Sequence, residues 1–315
     1  MSVLSALHGA TSTVFSNLFV RLPIPEATPD LSQQTLIVTG ANTGLGLETS
    51  RHLLRLGVGQ LIMGVRSPAK GEAAKHDLLA STGRDPSTIQ VWPLDMSSYD
   101  SVKAFGHRAA SQLPRLDGVL ANAGIMTRHF ALSPDTNGHE STLTVNVIST
   151  FLLCLLLLPA MRASHRQTGR PARFVIPNSA LHYLAPLGEL AAADDGSSSS
   201  GIIARLDDPA RADMAGRYPL SKLLVLYAVR ELADRCRAAA AAEGGVGAGV
   251  ILNTPNPSYC VSGLARESDG GVGVKVAERL LARTTEEGAR TLYHGLVVAG
   301  EESDGQYLTN CHVQR

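Results

Sequence analysis

The chain has 315 residues, of which 44% are hydrophobic and 4% aromatic, and its 28 Lys and Arg balance 28 Asp and Glu. Because this balance leaves no basic excess to neutralise phosphates, nucleic acid is not expected as a partner. The length suffices for one large core, and open α/β sheets often form single domains of this size.

Targeting and redox signals favour a cytoplasmic protein with an N-terminal arm over residues 1–34. Residues 1–20 contain no Lys, Arg, Asp or Glu, so they lack the basic region of a signal peptide and the arginines of a transit peptide. Their apolar residues have partly helical spacing, but no cation on the other face would meet lipid headgroups. We therefore expect an arm packed on the domain and not a membrane anchor. The four cysteines form no CxxC or Cys/His cluster, which predicts reduced thiols and no metal site.

From Thr35 onward, short apolar runs alternate with stretches long enough for helices. The runs predicted as strands are Leu36–Val38, Leu61–Val65, Ile89–Leu94, Val119–Ala121, Phe174–Ile176 and Val250–Leu252. This alternation predicts a parallel, doubly wound α/β sheet of the Rossmann type, in one domain over residues 35–315. Residues 44–56 are predicted as the first crossover helix, which Gly57 ends.

Two apolar or flexible stretches need separate interpretation. The run from Phe151 to Leu158 is too short to span a bilayer and ends at Pro159, so it is predicted as a buried helix or as a helix face of a homodimer. Residues 183–217 include Asp194, Asp195 and a Gly/Ser run over 196–201, which predicts a flexible insertion. That insertion either covers a substrate mouth or decorates the surface.

The segment 39–46, between the first strand and the first helix, carries glycines at positions 40, 44 and 46. Glycines permit a tight turn and a close backbone approach, so that free N–H groups and the helix dipole face a pyrophosphate. The Gly-x3-Gly-x-Gly spacing alone is also compatible with an ordinary turn. Its position between strand and helix favours a dinucleotide cofactor.

Arg66 follows the second strand, where an acidic residue would hold the ribose hydroxyls of NAD. A guanidinium there pairs well with the 2′-phosphate of NADP. The alternative is a solvated arginine at a helix start. The missing carboxylate favours NADP.

Tyr218 and Lys222 stand four residues apart, on one face of a predicted helix. A nearby cation favours phenolate and lowers the pKa of the tyrosine, making it a proton donor to a developing alkoxide. In isolation this pair would be read as an exposed helix face.

A family resemblance joins these motifs. The segment 39–46, Asp95, the triplet 122–124, Asn146, Ser179 and the Tyr218-x3-Lys222 pair together resemble the short-chain dehydrogenase/reductases, from about Thr35 through the C-terminal third. The arm and the phrases 61–75 and 139–158 resemble fungal, retinol-dehydrogenase-like members, many of them linked to secondary metabolism.

The resemblance implies roles for individual residues. Tyr218 would be the general acid/base, Lys222 would bind the nicotinamide ribose and lower the tyrosine's pKa, and Ser179 would hold the substrate oxygen. Asn146 would support a water that links Lys222 to solvent, and Asp95 and Asn122 would position the adenosine half. With the glycine loop and Arg66, the predicted cofactor contacts are Gly40, Asn42, Thr43, Gly44, Leu45, Gly46, Arg66, Asp95, Met96, Asn122, Ala123, Gly124, Tyr218, Lys222, Pro257, Cys260 and Ser262. For Ser179, Asn146, Asp95 and Asn122 the simpler readings are a helix cap, a turn and a satisfied polar group at the surface.

Two residues depart from the family pattern. Asn178 stands where relatives have a second serine, so a reshaped backbone is expected there, and Ser258 replaces the glycine of the family's Pro-Gly turn. Residues 259–290 would form the substrate lid, since glycines at 270, 271 and 273 make a mobile loop reasonable; the alternative is a surface excursion.

The sequence therefore predicts an NADPH-dependent oxidoreductase that reduces a ketone or aldehyde of an apolar small molecule, or catalyses the reverse reaction. The first alternative keeps the cofactor pocket but performs a non-redox step, against which the intact Tyr218, Lys222 and Ser179 set argues. The second is a non-catalytic NADP-binding or interaction protein, motivated by Asn178, Ser258 and the insertion.

Overall fold

The computed structural model describes residues 3–26, 30–135, 138–190, 201–242, 244, 248–261, 264 and 281–314. Its sheet has eight strands in the order β3-β2-β1-β4-β5-β6-β7-β8, all parallel except β8, which is antiparallel to β7. The strands are β1 Thr35–Thr39, β2 Gln60–Val65, β3 Ile89–Pro93, β4 Gly118–Leu120, β5 Ala172–Val175, β6 Val250–Asn256, β7 Gln306–Thr309 and β8 His312–Val313. The predicted parallel, doubly wound sheet is confirmed.

Helices cover both faces of this sheet. They are α1 Val3–Phe19, α2 Gly44–Arg55, α3 Pro68–Thr82, α4 Tyr99–Gln112, α5 Ser141–Leu143, α6 Ser149–Thr168, α7 Ile202–Leu206, α8 Met214–Ala242 and α9 Thr285–Tyr293. Within β1, Ile37 belongs to the core under α4, α6 and α8, whereas Leu36 and Val38 belong to the core under α2, α3 and α9. Because both faces are buried, the strands appear in the sequence as continuous apolar runs.

The apolar run at 151–158 lies in α6, a core helix packed against α4. The stretch Ser141–Thr168 is apolar and long enough to cross a membrane, but 56% of its most apolar window is buried inside the domain. The helix continues past Pro159, where the apolar run ends, as far as Thr168. Proline removes a hydrogen bond to the carbonyl four residues earlier, and that residue, Leu155, has an exposed side chain, so solvent lies near the freed carbonyl.

The N-terminal arm packs on the domain. Asn17 Nδ2 donates to the carbonyls of Tyr259 and Leu281 at 2.8 and 2.7 Å. From the domain, Arg283 Nη2 donates to the carbonyls of Ser16 and Val20 at 2.7 and 3.1 Å. The arm is thus held by hydrogen bonds to segments close to both ends of the predicted lid.

The flanks of the predicted flexible insertion are packed. Short 3-10 helices form at Ala180–Leu184 and Gly188–Leu190, α7 follows, and both Leu206 and Arg217 are fully buried. A flexible excursion over 183–217 is therefore wrong for residues 183–190 and 201–217. Its centre, residues 191–200, lies outside the described residues.

Candidate active site

The glycine loop joins β1 to α2 in a conformation that requires glycine. Gly40 and Gly44 have φ of +64° and +59°, a region that side chains with a Cβ rarely enter. At Gly46 a Cβ would lie 2.5 Å from Asn122 Nδ2 and 2.7 Å from the Gly40 carbonyl oxygen. The Thr43 side chain makes no capping hydrogen bond to α2, which leaves the helix N-terminus available to an anion. The loop therefore fits the pyrophosphate of a dinucleotide.

Asn122, at the end of β4, braces this loop. Its Nδ2 donates to the Thr39 and Gly40 carbonyls at 3.1 and 3.4 Å. The Ala123 backbone N–H donates to Thr39 Oγ1 at 2.9 Å. The structure thus brings the predicted 122–124 segment against the glycine loop, with Asn122 in a positioning role.

Arg66 and Asp95 follow the ends of two neighbouring strands, β2 and β3. Arg66 is exposed, and its guanidinium makes no hydrogen bond or ion pair with the described part of the chain, so it is accessible to an anion. Asp95 is half-buried, and its Oδ1 accepts hydrogen bonds from the Ser97 backbone N–H and hydroxyl at 2.9 and 2.7 Å. Met96 is buried. Asp95 shapes the turn after β3, in agreement with the simpler reading given above.

Tyr218 and Lys222 lie one turn apart on α8, where both side chains are buried. Lys222 Nζ donates to the Pro177 carbonyl at 2.8 Å and lies 5.5 Å from the centroid of the Tyr218 ring. Pro177 follows β5 and precedes the predicted catalytic serine by two residues. Packing of α8 on the end of β5 therefore brings Tyr218, Lys222 and Ser179 together.

Ser179 caps the 3-10 helix Ala180–Leu184, and its hydroxyl accepts from the Leu181 backbone N–H at 3.2 Å. The Ser179 side chain lies close enough to Tyr218 to lower the tyrosine's pKa. Asn178 fixes the serine's backbone, because its Oδ1 accepts from the Ser179 N–H at 2.8 Å and its Nδ2 donates to the Lys222 carbonyl at 3.3 Å. The departure at Asn178 thus ties the serine to α8.

Asn146 lies in a π-helical turn, Thr144–Ile148, between α5 and α6; such turns are frequent at functional sites. Its Oδ1 accepts from the Ile125 N–H at 2.9 Å, and its Nδ2 donates to the Ile125 carbonyl at 2.9 Å and to Ser221 Oγ at 3.1 Å. Ser221 precedes Lys222, so Asn146 joins the segment after β4 to the catalytic face of α8.

Burial dominates the protonation of the catalytic pair. It raises the pKa of Tyr218 well above its ordinary value, although the nearby Ser179 side chain opposes the rise. Burial also lowers the pKa of Lys222 to about 8. Any lowering of the tyrosine's pKa by the Lys222 ammonium stays a prediction, and it would act against the larger cost of burying a phenolate. Tyr218 is protonated near neutral pH.

Beside Tyr218, sequence reasoning missed a buried ionic cluster of Glu140, Glu189 and Arg217. Arg217 is fully buried; its Nη2 donates to Glu189 Oε1 at 3.0 Å, and its Nη1 lies 3.9 Å from Glu140 Oε2. Arg217 Nη1 also donates to the Leu206 carbonyl at 2.7 Å, which ties α7 to α8. Glu140 is fully buried as well and accepts from the Thr142 and Leu143 backbone N–H groups at 2.8 and 3.1 Å.

This ionic cluster connects three parts of the site. Glu140 caps the short helix that leads to Asn146, Glu189 follows the segment that begins at Ser179, and Arg217 adjoins Tyr218. In the sequence, the only local signal of this cluster was Arg217, a charged residue next to the Tyr-x3-Lys pair, because the three members of the cluster are distant from one another along the chain.

The end of β6 carries the remaining predicted contacts. Ser258 has φ of +66°, and its backbone N–H donates to Asn256 Oδ1 at 2.9 Å. Pro257 is buried. The buried Cys260 lies in a bridge with Arg283, and its Sγ would be 2.3 Å from a Cβ placed on Gly288. Ser262 lies outside the described residues.

The predicted lid over 259–290 extends too far. Its C-terminal end belongs to α9, which packs against α2 in the core, so that end is not a mobile loop. Residues 262–263 and 265–280 of the lid lie outside the described residues.

Comparisons with known proteins point to one family. A family model for short chain dehydrogenases matches residues 34–170. A short chain dehydrogenase/reductase of Cryptosporiopsis sp. (strain 8999) is 39% identical over 302 residues, 95% of this chain and 87% of the relative. A short-chain dehydrogenase of Penicillium roqueforti (strain FM164) is 40% identical over 311 residues, 98% of this chain and 77% of the relative. The structure of NADPH-bound carbonyl reductase from chicken fatty liver matches the fold with a TM-score of 0.61 at 20% identity, over 89% of this chain and 98% of that one.

Proposed function

The chain belongs to the short-chain dehydrogenase family, and on that premise we propose that it is an NADPH-dependent oxidoreductase that reduces the carbonyl group of a small molecule, or catalyses the reverse oxidation. One observation carries this proposal: Tyr218 and Lys222 lie buried one turn apart on α8, with the Lys222 ammonium 2.8 Å from the Pro177 carbonyl, and Asn178 ties Ser179 to the same helix through the Lys222 carbonyl.

The residues for holding the cofactor are those of the glycine loop and Arg66. The N-terminus of α2 would face the pyrophosphate, while Arg66 would pair with the 2′-phosphate that distinguishes NADPH from NADH. The exposure of Arg66 and its lack of any partner in the described chain support this preference. The carbonyl reductase from chicken fatty liver, which has the same fold, is described with NADPH bound.

Bound NADPH supplies the hydride that adds to the carbonyl carbon. Tyr218 donates its phenolic proton to the carbonyl oxygen, and the Ser179 hydroxyl donates a hydrogen bond to the same oxygen. The raised pKa of Tyr218 keeps this proton in place until the oxygen gains negative charge. Lys222 donates a hydrogen bond to the Pro177 carbonyl and lies beside the Tyr218 ring. Asn146 donates a hydrogen bond to Ser221 and so fixes the neighbouring turn of α8.

The test is reduced-nicotinamide oxidation, followed by absorbance, across a panel of ketones, aldehydes and quinones. Stereospecific transfer of deuterium from labelled NADPH to one product would establish the reaction. Tyr218→Phe, which retains the ring, serves as the control. If NADPH binds but no member of the panel consumes it, the reductase is the wrong function and a non-redox or binding role takes its place.

A further inference from the structure

The N-terminal helix α1 packs on the domain with its polar side chains inward. Ser12, Thr13 and Ser16 line a cavity beneath the helix, whereas Phe15 is 59% exposed and Phe19 71% exposed. A helix on the surface of a water-soluble domain ordinarily buries its apolar face. This inverted orientation indicates that the surface under α1 requires hydrogen-bonding groups.

The cavity has a volume of about 60 Å³. By that measure one water needs roughly 10–15 Å³, so the space suits a few waters or one small polar group. Every residue that lines it carries a hydroxyl or a carboxamide. The lining includes Tyr183, Ser258 from the end of β6, and Gln314 near the C-terminus. Because the lining carries no charge, a buried carboxylate, phosphate or ammonium would find no counter-charge there. The matching ligand group is neutral and polar.

Ser258 combines two unfavourable features in this lining. Its φ of +66° lies in the region that favours glycine, and its buried Oγ has no hydrogen-bond partner in the described part of the protein. Such a backbone conformation and an unsatisfied buried hydroxyl each lower the stability of the fold. Glycine, which the family pattern has here, would remove both costs. A serine hydroxyl that lacks a protein partner is available to a ligand.

One residue of the cavity lining, Tyr183, lies on the 3-10 helix that the catalytic serine caps. Ser179 begins the 3-10 helix Ala180–Leu184 that carries Tyr183. At about 2 Å rise per residue, Tyr183 lies about 8 Å along this helix from Ser179. Between them, His182 Nδ1 donates to the Ser179 carbonyl at 2.8 Å, and its ring lies 4.0 Å from that of Tyr183 and 4.9 Å from that of Tyr307. A distance of this order separates the ends of a two-ring molecule.

We propose that the cavity under α1 is a subsite that binds a neutral hydroxyl on the far side of a cyclic ketone whose carbonyl is reduced at Ser179 and Tyr218. The proposal rests on the oxidoreductase function above and narrows its substrate class. The Ser258 hydroxyl is the main determinant of specificity; the Tyr183 hydroxyl, which accepts a hydrogen bond from Gln314 Nε2 at 3.1 Å, lies in the same lining, and α1 forms the wall that completes the subsite.

The test uses two matched ketones, β-tetralone and its analogue with one hydroxyl at the aromatic position farthest from the carbonyl. The wild-type protein should reduce the hydroxylated ketone with a kcat/KM about tenfold higher, the value of roughly one hydrogen bond. Tyr183→Phe and Ser258→Gly should each remove most of that preference through KM, so that the kcat/KM for the hydroxylated ketone falls much further than that for β-tetralone. Tyr227→Phe, at a half-exposed position on α8, is the matched control and should retain it.

Binding is measured separately, as the rise in melting temperature that each ketone causes in the presence of saturating NADP⁺. Melting temperatures also report whether each variant is folded, and Ser258→Gly relieves a strained position, so it should fold. If the wild type reduces both ketones equally, or the variants keep the preference, the cavity holds water only and the subsite proposal is wrong. If binding discriminates the pair but neither ketone is reduced, the subsite stands and the oxidoreductase proposal fails. If neither ketone binds, the subsite is wrong.

Discussion

The glycine loop at 39–46 and the ionic cluster of Glu140, Glu189 and Arg217 support neighbouring parts of the site in different ways. The loop is braced by uncharged groups, above all the carboxamide of Asn122, and by close backbone packing around Gly46. The ionic cluster takes two carboxylates and one guanidinium out of water, and the guanidinium compensates part of the negative charge. An uncharged brace is insensitive to salt and pH, whereas a buried ion cluster is stable only while it is complete.

The largest expected effect comes from removing the central cation of the ionic cluster. Arg217→Met should lower the free energy of unfolding by about 3–5 kcal/mol, because it leaves two carboxylates buried without a cation. Denaturant unfolding measures the change. Adding Glu140→Gln and Glu189→Gln to the same chain should recover most of the loss. A small effect for Arg217→Met alone would show that water reaches the carboxylates.

Lys222 is expected to reduce the stability of the cofactor-free fold. Its pKa of about 8 in the folded protein lies below the ordinary 10.5, so the unfolded chain binds the proton more tightly. The resulting cost, up to about 3 kcal/mol, is present in full below pH 8 and disappears as the pH rises from 8 towards 10.5.

Lys222→Met should therefore stabilise the cofactor-free protein at pH 7, lose that gain by about pH 10, and weaken both NADPH binding and turnover. Thermal unfolding across this pH range gives the stability, and titration gives the affinity. Lys103→Met, at an exposed position on α4, is the control and should change none of these. A destabilised Lys222→Met at pH 7 would show that the ammonium is paired more strongly than its contacts indicate.

Removing the Tyr218 hydroxyl affects the chemical step more than the fold. Tyr218→Phe should retain NADPH binding and lose turnover by about 10²-fold or more, the usual contribution of a positioned acid. Single-turnover measurements with bound NADPH keep slow product release from concealing the step. Near wild-type rates in this variant would contradict the proposed mechanism.

The smallest expected effect is on the preference for NADPH over NADH. Arg66→Ala should weaken NADPH binding by about 1.5–3 kcal/mol, the value of a hydrogen bond to a charged group, and leave NADH binding unchanged. Titration of both cofactors against the wild type and the variant measures the difference. If the variant kept the preference for NADPH over NADH, Arg66 would be a solvated surface residue that does not determine the cofactor.

The features that could be predicted are those determined by neighbours in the sequence. Six apolar runs predicted six strands because parallel strands are buried on both faces, and the glycine spacing predicted a loop that requires glycine at Gly40, Gly44 and Gly46. Strand β7 was missed because its four residues include Gln306 and Thr309 and form no apolar run.

Features that depend on distant parts of the chain could not be predicted. The partners of Arg217 meet only after the sheet and α8 have packed, and no periodicity relates Glu140 to Glu189. The Gly/Ser run over 196–201 concealed the packed flanks of the insertion, since composition averages over a segment. The pKa of Tyr218 depends on burial, which the four-residue spacing to Lys222 does not report.

Labelling of the four cysteines can be used to measure how often the folded protein opens. All four thiols are free and buried, and burial raises the pKa of Cys260 to about 12 and that of Cys311 to about 11. Since thiolate is the form that reacts with alkylating reagents, the folded chain should be labelled only when it opens. Cys154 is a core residue of α6, whereas Cys260 follows the end of β6 and contacts the Pro257 carbonyl. Their separate labelling rates would therefore distinguish local opening at the end of β6 from unfolding of the whole domain.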